Sequence, residues 1–197
     1  MKTVVEAFFV QILDEWVRWY CKSLTLAEGT HDAQPLSTTA HPQTPDQAVH
    51  ALVQCCQGAK ANCPHHYLSH STSWRFEPPD TVVLSYIVYP WAHVHDHAPH
   101  QHAHEGAAHE PPVWQELHLH DLQLAHSHAP DAPGPPLIET HHVLSHALRH
   151  LALLTHGPAA DATVSNHLNP QAKRFLAGVI PALAGQLKNC KALVHHA

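Results

Sequence analysis

The residues most able to do chemistry in this chain are its histidines, 25 among 197 residues. Six of them alternate with other residues in two groups of three: His93, His95, His97, His100, His102 and His104. In an extended chain, residues two positions apart point the same way, so each group can converge on one ion. Neutral imidazole is the commonest metal ligand and suits Zn, Ni or another divalent transition metal. The leading prediction is therefore divalent-metal binding through this tract.

A compositional interpretation of the tract stays open beside the functional one. Histidine is overused in the rest of the chain as well, and such a bias produces clusters that have no function. A tract that lacks partners to fix the ring orientations resembles a metal buffer or relay more than a catalytic site. The spacing predicts a capacity to bind metal, and it leaves the identity of the metal and its physiological relevance open.

A second set of histidines follows a predicted helix that begins near Thr140. His142, His146 and His150 are four residues apart and stack along one side of that helix. Two histidines one turn apart can share a metal ion. The zinc-protease helix also needs a glutamate between them, and Val143–Ser145 supplies none, so that class is excluded. The structural alternative is a stripe at the border between the apolar face and solvent.

A third candidate lies on a predicted strand. His70 and Thr72 form a His-x-Thr motif like that of the two-histidine phosphoesterases, although no convincing second copy follows. Strict alternation puts Trp74 and Phe76 on the same face as His70, as core residues, and Arg75 on the opposite face. The alternative function is thus an enzyme, hydrolase or phosphoesterase-like, with a cleft formed by four side chains: His70, Arg75, His146 and His150.

Composition and cysteine usage narrow the remaining classes. Only 13% of residues are charged and the ten Lys plus Arg are scattered, which argues against a nucleic-acid partner. No apolar run is long enough to span a membrane, and the apolar N-terminal run lacks the features of a signal peptide. The cysteines are odd in number and two are adjacent, so we expect reduced thiols and a cytoplasmic location. Cys55, Cys56 and Cys63 lie near His65 and His66, but the spacing of these five residues departs from that of structural zinc sites.

The first 25 residues allow two interpretations. Val5, Phe9, Ile12 and Trp16 recur at helical spacing over Thr3–Lys22, whereas the Val and Phe content of Val4–Leu13 suits a strand. Trp16, Trp19 and Tyr20 would form an aromatic patch, which makes a homo-oligomeric interaction module the third functional hypothesis.

The remaining elements predict an α+β fold in one domain, residues 1–197. Thr44, Pro45 and Gln47 mark the start of a helix by a capping box. Further helices are expected from Thr140 and from Asn169, the last kinked at Pro181. A small, mostly antiparallel sheet is expected to pack against two or three helices, with three strands: Tyr67–Phe76, Thr81–Tyr89 and Val113–Leu124. Residues 91–112 and 127–137 are predicted to be a His-rich and a Pro-rich loop.

Three segments together resemble a family of small uncharacterised bacterial proteins. They are His70-Ser71-Thr72-Ser73-Trp74-Arg75, the strand Val82–Tyr86, and His142–Leu151. The resemblance covers roughly residues 67–155 without the tract, and it brings no known activity. It implies that the tract is a variable insertion in a loop between two strands. It also implies one shared unit made of six residues: His70, Trp74, Arg75, His146, Arg149 and His150.

Overall fold

A computed structural model describes residues 1–26, 42, 44–57, 67–89, 113–125, 138–156 and 160–182. The strands are β1 (Lys2–Ile12), β2 (Trp16–Thr25), β3 (Leu68–Glu77), β4 (Thr81–Tyr89) and β5 (Gln115–His118). The helices are α1 (Pro45–Gln57), α2 (Thr140–His156), α3 (Ala162–His167) and α4 (Pro170–Ala177), and a 3₁₀ turn covers Leu119–Asp121. Both predicted loops, residues 91–112 and 127–137, fall outside the described residues.

The strands form one five-stranded sheet in the order β3-β4-β1-β2-β5. Three of its four pairings are antiparallel, and β1 pairs with β4 in parallel. The predicted α+β class, with a mostly antiparallel sheet packed against helices, is confirmed. The predicted strand Val113–Leu124 is shorter than expected, because the chain turns into the 3₁₀ segment after His118.

The N-terminal segment forms a β-hairpin, so the helical interpretation of Thr3–Lys22 is wrong. β1 and β2 pair from Val4↔Thr25 to Ile12↔Val17. The apolar residues of β1 are buried on both faces because this strand lies at the centre of the sheet. The recurrence of apolar residues at helical spacing reflects this two-sided burial, in which nearly every position is apolar.

Helices cover the two faces of the sheet and create two cores. On one face, which we call the α2 face, α2 and α4 pack on residues such as Phe8, Val10, Ile87 and Tyr89. On the other, the α1 face, α1 packs on residues such as Val5, Phe9, Tyr86 and Val88. Each fully buried Leu or Val contributes about 1.5–3 kcal/mol. Leu144, Leu148 and Leu151 of α2 are completely buried, as the sequence pattern predicted.

Two helices, α1 and α4, are capped by polar side chains as the sequence indicates. Thr44 and Gln47 exchange the paired hydrogen bonds of a capping box at the start of α1, each 3.3 Å long. The Asn169 side chain accepts from the backbone of Ala172 at the start of α4. The predicted kink at Pro181 is wrong, because α4 ends at Ala177, before that residue. The short helix α3 was not predicted; Asp161 caps it by accepting from Thr163.

In the part of the chain that the structure describes, no helix combines the length and the apolar character needed to cross a membrane.

Candidate functional site

A β-bulge in β3 determines where its functional side chains lie. The pairing with β4 shifts register between Ser71 and Ser73, so Thr72 is the extra residue. The Thr72 side chain is 1% exposed, and its hydroxyl donates to the backbone carbonyl of Ser85 at 3.1 Å. This hydrogen bond satisfies a carbonyl group at the irregularity. The bulge also reverses the alternation of side chains for the rest of the strand.

The reversal corrects three placements made from strict alternation. Trp74 and Phe76 lie on the α1 face and are 71% and 53% exposed, so the prediction that they are core residues is wrong. Arg75 lies on the α2 face, as does His70, whereas the sequence put these two residues on opposite faces. A two-residue period cannot reveal a bulge, because Thr72 differs from an ordinary strand residue only through its tertiary contact.

His70 of β3 and His150 of α2 lie in direct contact. Their Nε2 atoms are 3.2 Å apart, although 80 residues separate them in the chain. The two rings are nearly parallel, with 13° between their planes and 5.2 Å between their centroids. Both side chains are partly buried. Since Nε2 meets Nε2, one ring must carry its proton there and donate it to the bare nitrogen of the other.

Burial keeps both rings in the neutral form. It lowers the pKa of His70, the nearby ring of His150 lowers it further, and the carboxylate of Asp161 acts in the opposite direction. Burial also lowers the pKa of His150, against a smaller raising effect of the Ala182 backbone. A neutral imidazole is the form that accepts a proton or ligates a metal. The pair is therefore in the metal-binding protonation state at neutral pH.

The Nδ1 atom of His150 is buried and has no hydrogen-bond partner within the described part of the chain. The Ala182 backbone interacts with the ring and raises the pKa of His150. A buried ring nitrogen without a partner costs free energy in either tautomer. The pair is thus held together by the packing of α2 on the sheet rather than by a complete set of hydrogen bonds.

Arg75 belongs to a different polar cluster on the α2 face. Its Nη1 donates to the Glu6 carboxylate at 2.8 Å and to the Ser85 hydroxyl at 3.3 Å, and its Nε donates to Glu77 at 2.9 Å. Burial opposes the charge, but the hydrogen bonds and the charge of Glu6 outweigh it, so the pKa of Arg75 is raised. The guanidinium charge is already paired by two carboxylates.

The predicted cleft is therefore brought together only in part. His70 and His150 touch, and His146 lies one helical turn before His150, also partly buried. Arg75 is five positions further along β3 than His70, about 15 Å at the rise of a strand. The Arg149 side chain is 9% exposed, and burial lowers its pKa. The enzyme hypothesis stays a prediction, and the contacts of Arg75 are those of a structural ion pair.

The aromatic residues proposed as an interaction patch do not share one surface. Trp19 is 3% exposed and belongs to the α2-face core, whereas Tyr20 is 4% exposed and stacks on Phe9 on the α1 face. Trp16 is partly buried, with the Arg18 guanidinium 5.8 Å from its ring centre. The basis of the patch is thereby lost, while homo-oligomerisation itself stays a prediction.

The six tract histidines His93, His95, His97, His100, His102 and His104 lie outside the described residues. Among the residues that are described, no group of three or more His, Cys, Asp or Glu side chains is arranged to hold a metal ion. Cys21 and Cys56 are free thiols. In the part of the chain that the structure describes, two potential metal ligands from distant elements, His70 and His150, meet through their Nε2 atoms.

Comparisons with protein-family models, with curated proteins and with solved structures returned no match for this chain. The resemblance to small bacterial proteins, residues 67–155, stays a prediction.

Proposed function

We propose that this protein binds divalent transition-metal ions, Zn²⁺ and Ni²⁺ among them, through the tract His93–His104. The observation that carries the proposal is the repeated i, i+2 spacing of histidines in two groups of three. Imidazole binds Zn, Cu and Ni well, so the tract offers capacity without strong selection among these metals.

The register of the sheet supports the proposal, because the strand that precedes the tract ends close to where the strand that follows it begins. Val88 near the end of β4 pairs with Phe9 of β1. Gln115 at the start of β5 pairs with Trp19 of β2, which pairs with Val10. The end of β4 and the start of β5 therefore lie at the same level of the sheet, three strand spacings or about 14 Å apart. The chain between the two strands could span roughly 80 Å if it were fully extended, which is far more than the gap. It can therefore bridge the gap without being stretched, and its histidines can approach one another.

Calorimetric titration with Zn²⁺ and with Ni²⁺ tests the proposal. The test variant, which we call the tract-silenced chain, replaces the six tract histidines with glutamine and keeps the chain length. We expect it to bind fewer equivalents of metal than the native chain. The matched control replaces six histidines of the described body: His118, His120, His141, His142, His156 and His167. We expect this control to keep the tract's equivalents. An unchanged stoichiometry in the tract-silenced chain would rule the tract out as the binder.

A cytoplasmic location follows from the reduced thiols expected above, and it stays part of the proposal. Fractionation of cells that produce the untagged chain tests the location separately from metal binding.

A further inference from the structure

We propose that His70 and His150 form a two-imidazole site for one divalent transition-metal ion on the body of the protein, separate from the tract. This site goes beyond the proposed function, because it uses neither the residues nor the sequence pattern that carry that function.

The distance between the two nitrogens is the first argument. Zinc binds imidazole nitrogen at about 2.0–2.1 Å, and two such ligands at the tetrahedral angle stand about 3.3 Å apart. The Nε2 atoms of His70 and His150 are already 3.2 Å apart. A metal ion can therefore take the place of the shared proton with little movement of either ring.

The elements that carry the two rings are the second argument. His70 lies on β3, with its pairing partner Ile87 completely buried. His150 lies on α2 between Ala147 and Leu151, which are also completely buried. Ligands on a strand and a helix that are packed against each other are positioned more firmly than ligands on loops. The site is thus preformed in the folded chain.

The surroundings of the rings fit a bound cation. A metal-bound imidazole usually donates its other ring nitrogen to a carbonyl or carboxylate group. The Ala182 backbone lies by His150, and the Asp161 carboxylate interacts electrostatically with His70. The buried Nδ1 of His150, which has no partner in the described part of the chain, would carry the proton when Nε2 binds metal.

Other histidine contacts in the described body lack these features. His118 and His120 are two residues apart, and both are exposed. His141 and His142 are neighbours in sequence at the first turn of α2. Such pairs follow from local sequence, whereas the contact of His70 with His150 requires the complete fold.

The chemical class of the ligand follows from the donors. Two neutral imidazoles suit Zn²⁺, Cu²⁺ or Ni²⁺, and they disfavour Mg²⁺ and Ca²⁺, which prefer oxygen. No third His, Cys or carboxylate of the described residues completes the coordination. Water or an external ligand would fill the remaining positions, as at metal sites with open coordination. We therefore infer an exchangeable ion rather than a structural one.

Zinc titration of the tract-silenced chain isolates this site from the tract. On that background we compare His70→Gln, His150→Gln and the matched control His156→Gln, which removes a histidine from the same helix. We expect one equivalent of bound Zn²⁺ to be lost in the first two variants and kept in the third. Retention of that equivalent in His70→Gln and His150→Gln, or its absence from the parent chain, would overturn the proposal. Thermal unfolding in chelator shows that each variant folds.

Hydrogen exchange tests the site without substituting either ligand. An ion that bridges β3 and α2 should slow amide exchange in peptides from both elements when Zn²⁺ is added to the tract-silenced chain. Peptides from α1, on the opposite face, serve as the internal control and should not change. Equal exchange in β3 and α2 with and without Zn²⁺ would overturn the proposal. Failure of the tract leaves this result untouched, so the two proposals are tested independently.

Discussion

The guanidinium group of Arg75 lies 2.8 Å from the carboxylate of Glu6, on the α2 face of the sheet. The two residues are 69 positions apart, and their strands are separated by β4. The Ser85 hydroxyl of β4 contacts both groups. The ion pair thus connects the outer strand β3 to the central strand β1. Its side chains are 20% and 12% exposed, so the pair is shielded from solvent more than a surface salt bridge is.

Replacing Glu6 with Gln should lower the free energy of unfolding by about 1–3 kcal/mol, because a shielded guanidinium loses its charged acceptor. Chemical denaturation measures this change. The matched control is Glu116→Gln, which removes the partner of Arg18 in a pair that is 42% and 53% exposed. We expect the control to cost less than about 1 kcal/mol. Equal costs for the two substitutions would show that the Glu6 pair is no more than a surface contact.

The same substitution at Trp74 and at Trp19 should change the free energy of unfolding by very different amounts. Trp74→Thr should change the free energy of unfolding by about 0.5 kcal/mol or less, because the ring is 71% exposed. Trp19→Thr should cost about 3–5 kcal/mol, because a buried ring leaves a cavity. The denaturation midpoints of the two variants measure these two costs. A large cost at Trp74 would mean that β3 has no bulge at Thr72 and that the ring is packed.

The bulge shows where prediction from the sequence ended. The span of β3 and its turn into β4 were predictable from β-branched and aromatic residues between turn signals. The extra residue was not, because Thr72 fits either a regular strand or a bulge. Its position depends on the hydrogen bond to the Ser85 carbonyl, a partner 13 residues away. A shift of one residue moved Trp74, Arg75 and Phe76 to the opposite faces.

Two of the three cysteines that the structure describes, Cys21 and Cys55, should differ in reactivity with alkylating agents. Burial raises the pKa of the Cys21 thiol, and the negative charge of Glu6 raises it further, so the reactive thiolate is scarce. Cys55 is exposed. Between pH 7 and 9 we expect iodoacetamide to modify Cys55 readily and Cys21 only after unfolding. Mass spectrometry of digested peptides measures both sites. Rapid modification of Cys21 in the native chain would contradict its placement on the α2 face.

The candidate site was predictable as a set of residues but not as a contact. His146 and His150 follow from the helical spacing of α2, a local pattern. The contact of His70 with His150 joins elements 80 residues apart, and it depends on how α2 lies across β3. The hairpin of β1 and β2 was ambiguous for a related reason. A central strand that is apolar on both faces carries no alternation to separate it from a buried helix.

Removal of residues 92–110 should leave the remaining chain able to unfold cooperatively. The described strands and helices already form a core on each face of the sheet, and the shortened connection still spans the gap of about 14 Å between β4 and β5. We expect the melting temperature to stay within about 4 °C of the native value, a change below about 1 kcal/mol. Calorimetry measures the transition, with the tract-silenced chain as the control of native length. Loss of the cooperative transition in the deletion variant alone would mean that the segment is part of the scaffold.

The metal content of the untagged protein tests the central claim most directly. The chain is produced without an affinity tag, purified in metal-free buffer, and analysed by inductively coupled plasma mass spectrometry. The account predicts at least one equivalent of Zn, Ni or Cu per chain, reduced in the tract-silenced chain and reduced further when His70 is also replaced by Gln. Metal-free protein that also fails to take up Zn²⁺ on titration would contradict it.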